Sequence, residues 1–536
     1  MVDAKTKKKN ILASGLSLSF FTLISRILGL IREITKAALM GTSQLSDAFG
    51  VAFMLPNLFR RLFAENSISV AFIPTFRSYL DDDKKEKSEI QTFLSATLSL
   101  VSLATTITVI LGIIFAPQIA VLFSKHNSAD IISETALLTR IMFPYLFVIS
   151  IAAFFQGILN AHHIFSPSGF TPILFNIIVI ASSYLLIDYA GNPARAMAIG
   201  VILGGTVQAL FQLPFVLKQG WKISLTGLKK TLSNPGTKRV LRLIAPTIIG
   251  MAAYQLNDFV SSIIAKNTGI GILSSIQYSL RLQELILGIF AVTVGTIILP
   301  DLSSLAKREK WQDYNQMLLS ALKLIALITI PITFFSILFR ENLIILIYKT
   351  NQFSDESVAL TSGVFFFHII GLFCIAANRI LSPAFYAQSN AKLPTYAGII
   401  GFACNIILAL ILSRSMGGNG IALALSIASF INSIALLFFL HRLSHMQAVF
   451  LTKQIIGYTI KLALLSLIAI APVYLIKNRL LSIFSGYNKL IAQAVPMAIA
   501  TLIFFSLGIL LLLLTKDSLL LSIAKKIKQK IFQNGR

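Results

Sequence analysis

Long apolar runs separated by short polar breaks repeat along nearly the whole 536-residue chain. A run of about 20 apolar residues, rising 1.5 Å per residue as a helix, is enough to cross the roughly 30 Å hydrocarbon core of a bilayer. About fourteen such helices are predicted, over 11–39, 46–78, 92–116, 136–159, 171–188, 196–217, 239–265, 273–300, 315–339, 358–387, 394–413, 418–440, 453–476 and 488–514. The pattern predicts an all-α polytopic membrane protein. The first run follows Lys5, Lys7, Lys8 and Lys9 as the core of a signal peptide would. It is too long for one, contains Arg26 and Arg32, and lacks a small-x-small cleavage site, so it is expected to remain as the first span.

Sliding the chain against itself by 226 residues places Phe72-Ile73-Pro74 on Ile298-Leu299-Pro300, Leu159-Asn160-Ala161 on Phe385-Tyr386-Ala387, and Ala209-Leu210 on Ala435-Leu436. Asn176 falls three residues out of register with Asn405. One offset shared by separate helix pairs predicts an internal repeat of six helices. An even number keeps both copies in one orientation, so two lobes are expected about a pseudo-two-fold axis along the membrane normal, with a site between them near mid-membrane. The predicted division is an N-lobe over 1–225, a C-lobe over 226–450, and two further helices with a basic tail over 451–536.

Composition agrees with the pattern: 56% of residues are hydrophobic and 12% charged, where a soluble domain carries about a quarter charged. The net charge of +25 would suggest nucleic-acid binding in a soluble chain. Its distribution argues otherwise. With the N-terminus inside, the cytoplasmic segments hold Lys5 and Lys7 to Lys9; Arg77, Lys84, Lys85, Lys87; Lys218, Lys222, Lys229, Lys230, Lys238, Arg239, Arg242; Lys307, Arg308, Lys310; and Lys525, Lys526, Lys528, Lys530. The opposite loops hold only scattered cations such as Lys125, Arg195, Lys266, Arg414 and Arg479. Positive charge on the inner side then sets orientation, both termini are expected in the cytoplasm, and no nucleic-acid partner is implied. Cys374 and Cys404 sit in apolar runs outside any CxxC, implying neither a disulfide framework nor a zinc site.

The stretch 25–65 departs from the apolar background. It carries Arg26, Arg32, Arg60 and Arg61 with Glu33, Asp47 and Glu65. An Arg or Asp at the bilayer centre costs about 2.5–3.5 kcal/mol even on insertion scales, so such groups face a cavity or a partner. Arg26 and Arg32 are six apart, roughly 240° around an unbroken helix; Gly29 between them would permit a kink or an unwound turn that brings them together. Pro56 favours a bend just before Arg60 and Arg61. Arg61 and Glu65, four apart, are expected to pair. The repeat places Leu55 opposite Arg281, so Arg281 and Glu284 are candidates for a facing wall. Guanidinium in excess suits a phosphate or diphosphate, which its planar fork accepts bidentately.

Other charged features carry less chemistry. Asp81, Asp82 and Asp83 run into Lys84 and Lys85 and read as a solvated loop rather than a metal site. His441 and His445 have ligand spacing but lack the Glu of HExxH, and His162 and His163 are adjacent and point apart. Asp258 and Asn405 are candidate ligands for a monovalent coupling cation, although Ala409, one turn past Asn405, adds no carboxylate. No metal site is assigned, and no Walker A or GxSxG motif occurs.

The run Ser25-Arg26-Ile27-Leu28-Gly29, Arg32-Glu33, then Asp47-Ala48-Phe49 and Leu55-Pro56-Asn57-Leu58-Phe59-Arg60-Arg61-Leu62-Phe63-Ala64-Glu65, closely resembles the MurJ (MviN) lipid II flippases of the multidrug/oligosaccharidyl-lipid/polysaccharide exporter superfamily. The likeness extends through Gly295-Thr296-Ile297-Ile298-Leu299-Pro300 and over essentially the whole chain. It implies a bacterial inner-membrane transporter, not an enzyme, that moves undecaprenyl-diphosphate-linked peptidoglycan precursor to the outer leaflet by alternating access. Its expected partners are lipid II, membrane lipids and cell-wall synthesis enzymes. By motif match Arg26, Arg32, Arg60 and Arg281 would contact the head group, and Glu33, Asp47 and Glu65, with Arg61 and Glu284, would gate or balance them. Helices 13 and 14 would form a groove for the polyprenyl tail. The family often has Asp where Glu33 stands, and Pro where this chain has Ile286. No cofactor is expected; the membrane potential or a monovalent cation would supply coupling. The alternatives are an exporter of another polyprenyl-linked glycan or of drugs, a membrane-embedded prenyl-phosphate sugar transferase, and a non-transporting scaffold.

Overall fold

The computed structural model describes residues 2–62, 68–123, 128–443, 445–522, 525 and 529, with side chains outside 2–19, 245–254, 289–297 and 299. Among the described residues there are helices and no strands: α1 (Val2–Met40), α2 (Gln44–Phe59), α3 (Ile73–Leu80), α4 (Lys87–Ile114), α5 (Ala116–Leu122), α6 (Ala129–Met142), α7 (Tyr145–Ala161), α8 (Ser166–Leu185), α9 (Ile187–Ala190), α10 (Pro193–Lys218) and α11 (Leu228–Ser233). They continue as α12 (Pro235–Thr268), α13 (Ile272–Lys307), α14 (Trp311–Leu338), α15 (Arg340–Tyr348), α16 (Asp355–Ile370), α17 (Leu372–Ala387), α18 (Lys392–Met416), α19 (Gly418–His441), α20 (Ala448–Ile483) and α21 (Lys489–Leu514).

Local chemistry sets many of the boundaries. The side chains of Ser43, Ser128, Asn192, Asn234, Ser354 and Asn488 each accept from the amide three residues on, opening α2, α6, α10, α12, α16 and α21. Each satisfies one of the amides that a helix start leaves without an intrahelical acceptor. Among the described residues, nine helices are long and apolar enough to cross a membrane, and a tenth candidate is the pair α16 and α17, bent by 45° at Gly371. The other expected spans, 11–39, 46–78, 239–265 and 273–300, fall on α1, on α2 with α3, on α12 and on α13, outside that set.

Two details differ from the sequence expectation. The second span is not one regular helix: α2 gives way at Arg60 to π-helical turns, seen at 60–62 and again at Ile68–Phe72, before α3. The first helix is continuous through Gly29. The expected unwound turn is absent because glycine loosens a helix without breaking one whose neighbours hold it, and α8 packs along α1 here.

Contacts divide the chain into two compact units, Met1–Ser274 with Thr350–Gln352, and Ser275–Lys349 with Phe353–Arg536. The core of the first unit is aromatic, with Phe72 4.9 Å from Phe154 and stacked on Phe76 and Phe93. Gly200 and Gly204 on α10 let α8 come close, since a Cβ on Gly204 would stand 2.8 Å from the Phe175 ring. In the second unit Tyr278, Tyr348 and Phe353 form a ring cluster at 5.1–5.7 Å, and α14, α20 and α21 pack as a group.

Candidate functional site

Arg32 on α1 is held from three directions. Its Nη2 donates to Glu33 Oε1 at 2.9 Å, its Nη1 donates to Asn176 Oδ1 on α8 at 3.2 Å, and its guanidinium carbon lies 5.7 Å from the Phe175 ring centroid. Asn176 is itself fixed, donating to the carbonyls of Ser25 and Pro172 at 3.3 and 2.9 Å. Lys36, one turn on, is 3% exposed and lies over the Phe49 ring, and with Arg32 and Glu33 it lines one small cavity. Neither Lys36 nor Asn176 stood out in the sequence. The signal for Lys36 was its i+4 and i+3 spacing from Arg32 and Glu33; for Asn176 there was none beyond its approximate repeat match. Arg26 is half-buried on the same helix, and on the unbroken α1 its Cα stays roughly 240° around the axis from that of Arg32.

Arg60 and Arg61 stand where α2 passes into the π-helical turns. Arg60 Nε donates to Asn57 Oδ1 at 3.0 Å, and Arg60 borders a polar cavity between α7, α8 and α10. Arg32 and Arg60 thus line different cavities. Arg61 Nη1 donates to Gln255 Oε1 at 3.3 Å and reaches Asp258 Oδ2 on α12 at 3.5 Å. Glu65, the expected partner of Arg61, lies outside the described residues. Asp258, a candidate cation ligand, lies within ion-pair distance of Arg61.

Asp47, on the first turn of α2, is fully buried. Its Oδ2 accepts from Lys266 Nζ at 3.1 Å and from the Gly271 amide at 2.9 Å, and its Oδ1 accepts from the amide and hydroxyl of Ser274 at 2.9 and 2.8 Å. Gly271 has φ +75°, and a Cβ there would lie 2.3 Å from the Thr42 carbonyl oxygen, so only glycine brings its amide to Asp47. Lys266 reads in sequence as a scattered loop cation, yet it is 1% exposed. Four donors, one of them the opposite charge of Lys266, satisfy this carboxylate in full. Asp47 is committed to the start of α2 and the α12–α13 turn, not to the arginines.

In the second unit Arg281 Nη1 lies 3.6 Å from Glu284 Oε2, one turn on, with the arginine 27% exposed. Asn405 on α18 is buried. His445 shares a hydrogen with Gln388 Oε1 at 2.7 Å and stacks on Trp311, while His441 is exposed, so the two do not act as a pair. His162 accepts from the Trp221 indole N–H at 2.9 Å. Burial first, then the charges of Arg77 and His163, hold the His162 imidazole below its ordinary pKa. Asp81 lies 3.9 Å from Arg77 and Asp82 caps the Lys84 amide, with all three aspartates exposed.

The family model described as "Lipid II flippase MurJ" matches residues 36–492. Arg60 and Arg281 fall inside that match; Arg26 and Arg32 precede it. A probable lipid II flippase MurJ of Treponema pallidum is 46% identical over 514 residues, covering 95% of this chain and 97% of the relative. The lipid II flippase MurJ of Burkholderia cenocepacia is 31% identical, covering 80% and 83%. A solved lipid II flippase MurJ in an inward closed conformation superposes with a TM-score of 0.76 at 27% identity, over 92% of this chain and 98% of that one. A multidrug resistance MATE family transporter of the MOP superfamily shares the fold at 16% identity, with a TM-score of 0.65. The family match over most of the chain, and relatives this similar over nearly their full lengths, place the chain in the MurJ family of lipid II flippases.

Proposed function

We propose that this chain flips lipid II: it carries the undecaprenyl-diphosphate-linked peptidoglycan precursor from the inner to the outer leaflet of the bacterial cytoplasmic membrane by alternating access. It is a transporter, not an enzyme. The observation that carries the reading is the cationic content of residues 25–65, where Arg26, Arg32, Lys36, Arg60 and Arg61 outnumber Glu33, Asp47 and Glu65, and Asp47 is paired with Lys266. A diphosphate is an anion that guanidinium recognises bidentately. Arg26, Arg32, Arg60 and Arg281 are the arginines assigned to contact the head group, Arg32 and Arg60 from different cavities.

The polyprenyl tail has its own place in this scheme. An apolar cavity of about 160 Å³ lies between α14, α20 and α21, lined by Leu327, Pro331, Leu462, Phe504, Gly508 and Leu512 among others. The deciding experiment is complementation in a bacterium depleted of its own flippase, with lipid II counted in the inner leaflet. The native chain clears the accumulated precursor. Arg26→Ala and Arg60→Ala each insert normally and fail to clear it; transport retained in both variants would refute the arginine assignment.

A further inference from the structure

The pair α16 and α17 bends by 45° at Gly371, and a helix that stops leaves its last carbonyls without intrahelical partners. At this bend three of them are taken by side chains from three other helices. Ser426 Oγ on α19 donates to the Phe367 carbonyl at 2.6 Å, Gln283 Nε2 on α13 donates to the His368 carbonyl, and Thr333 Oγ1 on α14 donates to the Ile369 carbonyl at 3.3 Å. A Cβ on Gly371 would stand 2.5 Å from Ser426 Oγ, so the bend also needs glycine to let α19 come this close.

Of these helices α13 is held at the bend a second time. Ser279 Oγ lies 2.7 Å from His368 Nδ1. Ser279, Gln283 and His368 are 0%, 2% and 1% exposed. Ser279 and Gln283 are one helical turn apart and share the buried face of α13. Arg281 is two residues from each, roughly 160° around the axis, and it lies on the open side with Glu284.

This arrangement bears on what Arg281 can do. Lipid tails are as apolar as leucine, so apolar contact alone does not fix how a membrane helix is rotated, and hydrogen bonds between helices do. A slip of α13 by one residue would swing Arg281 by about 100° and strip both Ser279 and Gln283 of their partners. The geometry points to Ser279, Gln283 and His368 as positioning residues: through them the bend at Gly371 fixes the direction from which Arg281 meets the diphosphate of the substrate. The inference rests on the reading of Arg281 as a head-group contact and names what holds that arginine in place.

The test measures binding of undecaprenyl diphosphate to the full chain in nanodiscs. Arg281→Ala weakens binding about tenfold, the effect of one hydrogen bond to a charged group. Ser279→Ala and His368→Leu cut the same bond from its two sides, and each weakens binding by about threefold to tenfold. His368→Asn, whose carboxamide again offers the Ser279 hydroxyl a partner, recovers most of what His368→Leu loses. Added to Arg281→Ala, Ser279→Ala causes no further loss, because the group it positions is gone. Should His368→Leu fail to insert, Ser279→Ala alone decides. Native affinity in Ser279→Ala overturns the inference and leaves Arg281 as a contact. A further loss in the double variant overturns it as well, since the hydroxyl then serves only the packing of α13. Native affinity in Arg281→Ala overturns the head-group assignment of Arg281 and the inference together.

Discussion

Asp47 and Lys266 are 0% and 1% exposed and 3.1 Å apart, so neither charge can be rehydrated if the other is removed. Breaking such a pair from one side costs about 3–5 kcal/mol. Asp47→Ala and Lys266→Met are therefore each expected to lower the unfolding temperature in detergent sharply, and the double variant to lose less than the sum of the two. Gly271→Ala should be as damaging without touching a charge, because it meets both the positive φ and the Thr42 carbonyl; a thermal melt unchanged from the native chain would show that the turn can move aside. The arginines were legible in the sequence because each is expensive in an apolar run. Lys266 was not, since it lies at a helix end among ordinary loop cations and its partner is 219 residues away. Lys36 was passed over beside the arginines, although its spacing from Glu33 marks one helix face.

Among elements, α2 continues as an α-helix through Pro56 to Phe59, and the π-helical turns that follow it have no local signature in the sequence. The reverse holds for Gly29, whose freedom is not used because α8 braces α1. The family resemblance implies a tail groove on helices 13 and 14, and an apolar cavity lies between α14, α20 and α21. Gly508 borders that cavity, and a Cβ there meets nothing within 4 Å. Gly508→Leu should fold normally yet slow flipping of an undecaprenyl-linked substrate relative to a short-chain analogue; equal rates for the two would remove the tail from this groove. Another joint, between the end of α7 and the segment after α10, depends on pH. Because His162 titrates below its ordinary value of about 6.5, its stabilisation is complete above that pH and is lost as pH falls toward the lowered value. The unfolding temperature should drop between pH 7.5 and 5.5, and less so in His162→Gln, which keeps an acceptor for Trp221 without titrating.

For the molecule as a whole, the all-helical membrane class was legible from run length, since about 20 apolar residues have few other uses. Among the described residues nine helices and one bent pair pass as spans by length and composition. We expect the anionic head group to move outward with the membrane potential, which contributes about 2.3 kcal/mol per charge per 100 mV. Clamping the potential to zero in proteoliposomes should slow flipping by up to about fiftyfold per net charge moved; an unaltered rate would point to a cation gradient instead. The buried Asp47–Lys266 pair also dictates a schedule. Translation proceeds at about 5–20 residues per second, so a gap of 219 residues leaves Asp47 waiting roughly 10–45 s for its lysine. During synthesis the start of α2 must therefore stay at the watery rim of the membrane. Nascent chains cut short before Lys266 should be recognised as unfinished and degraded.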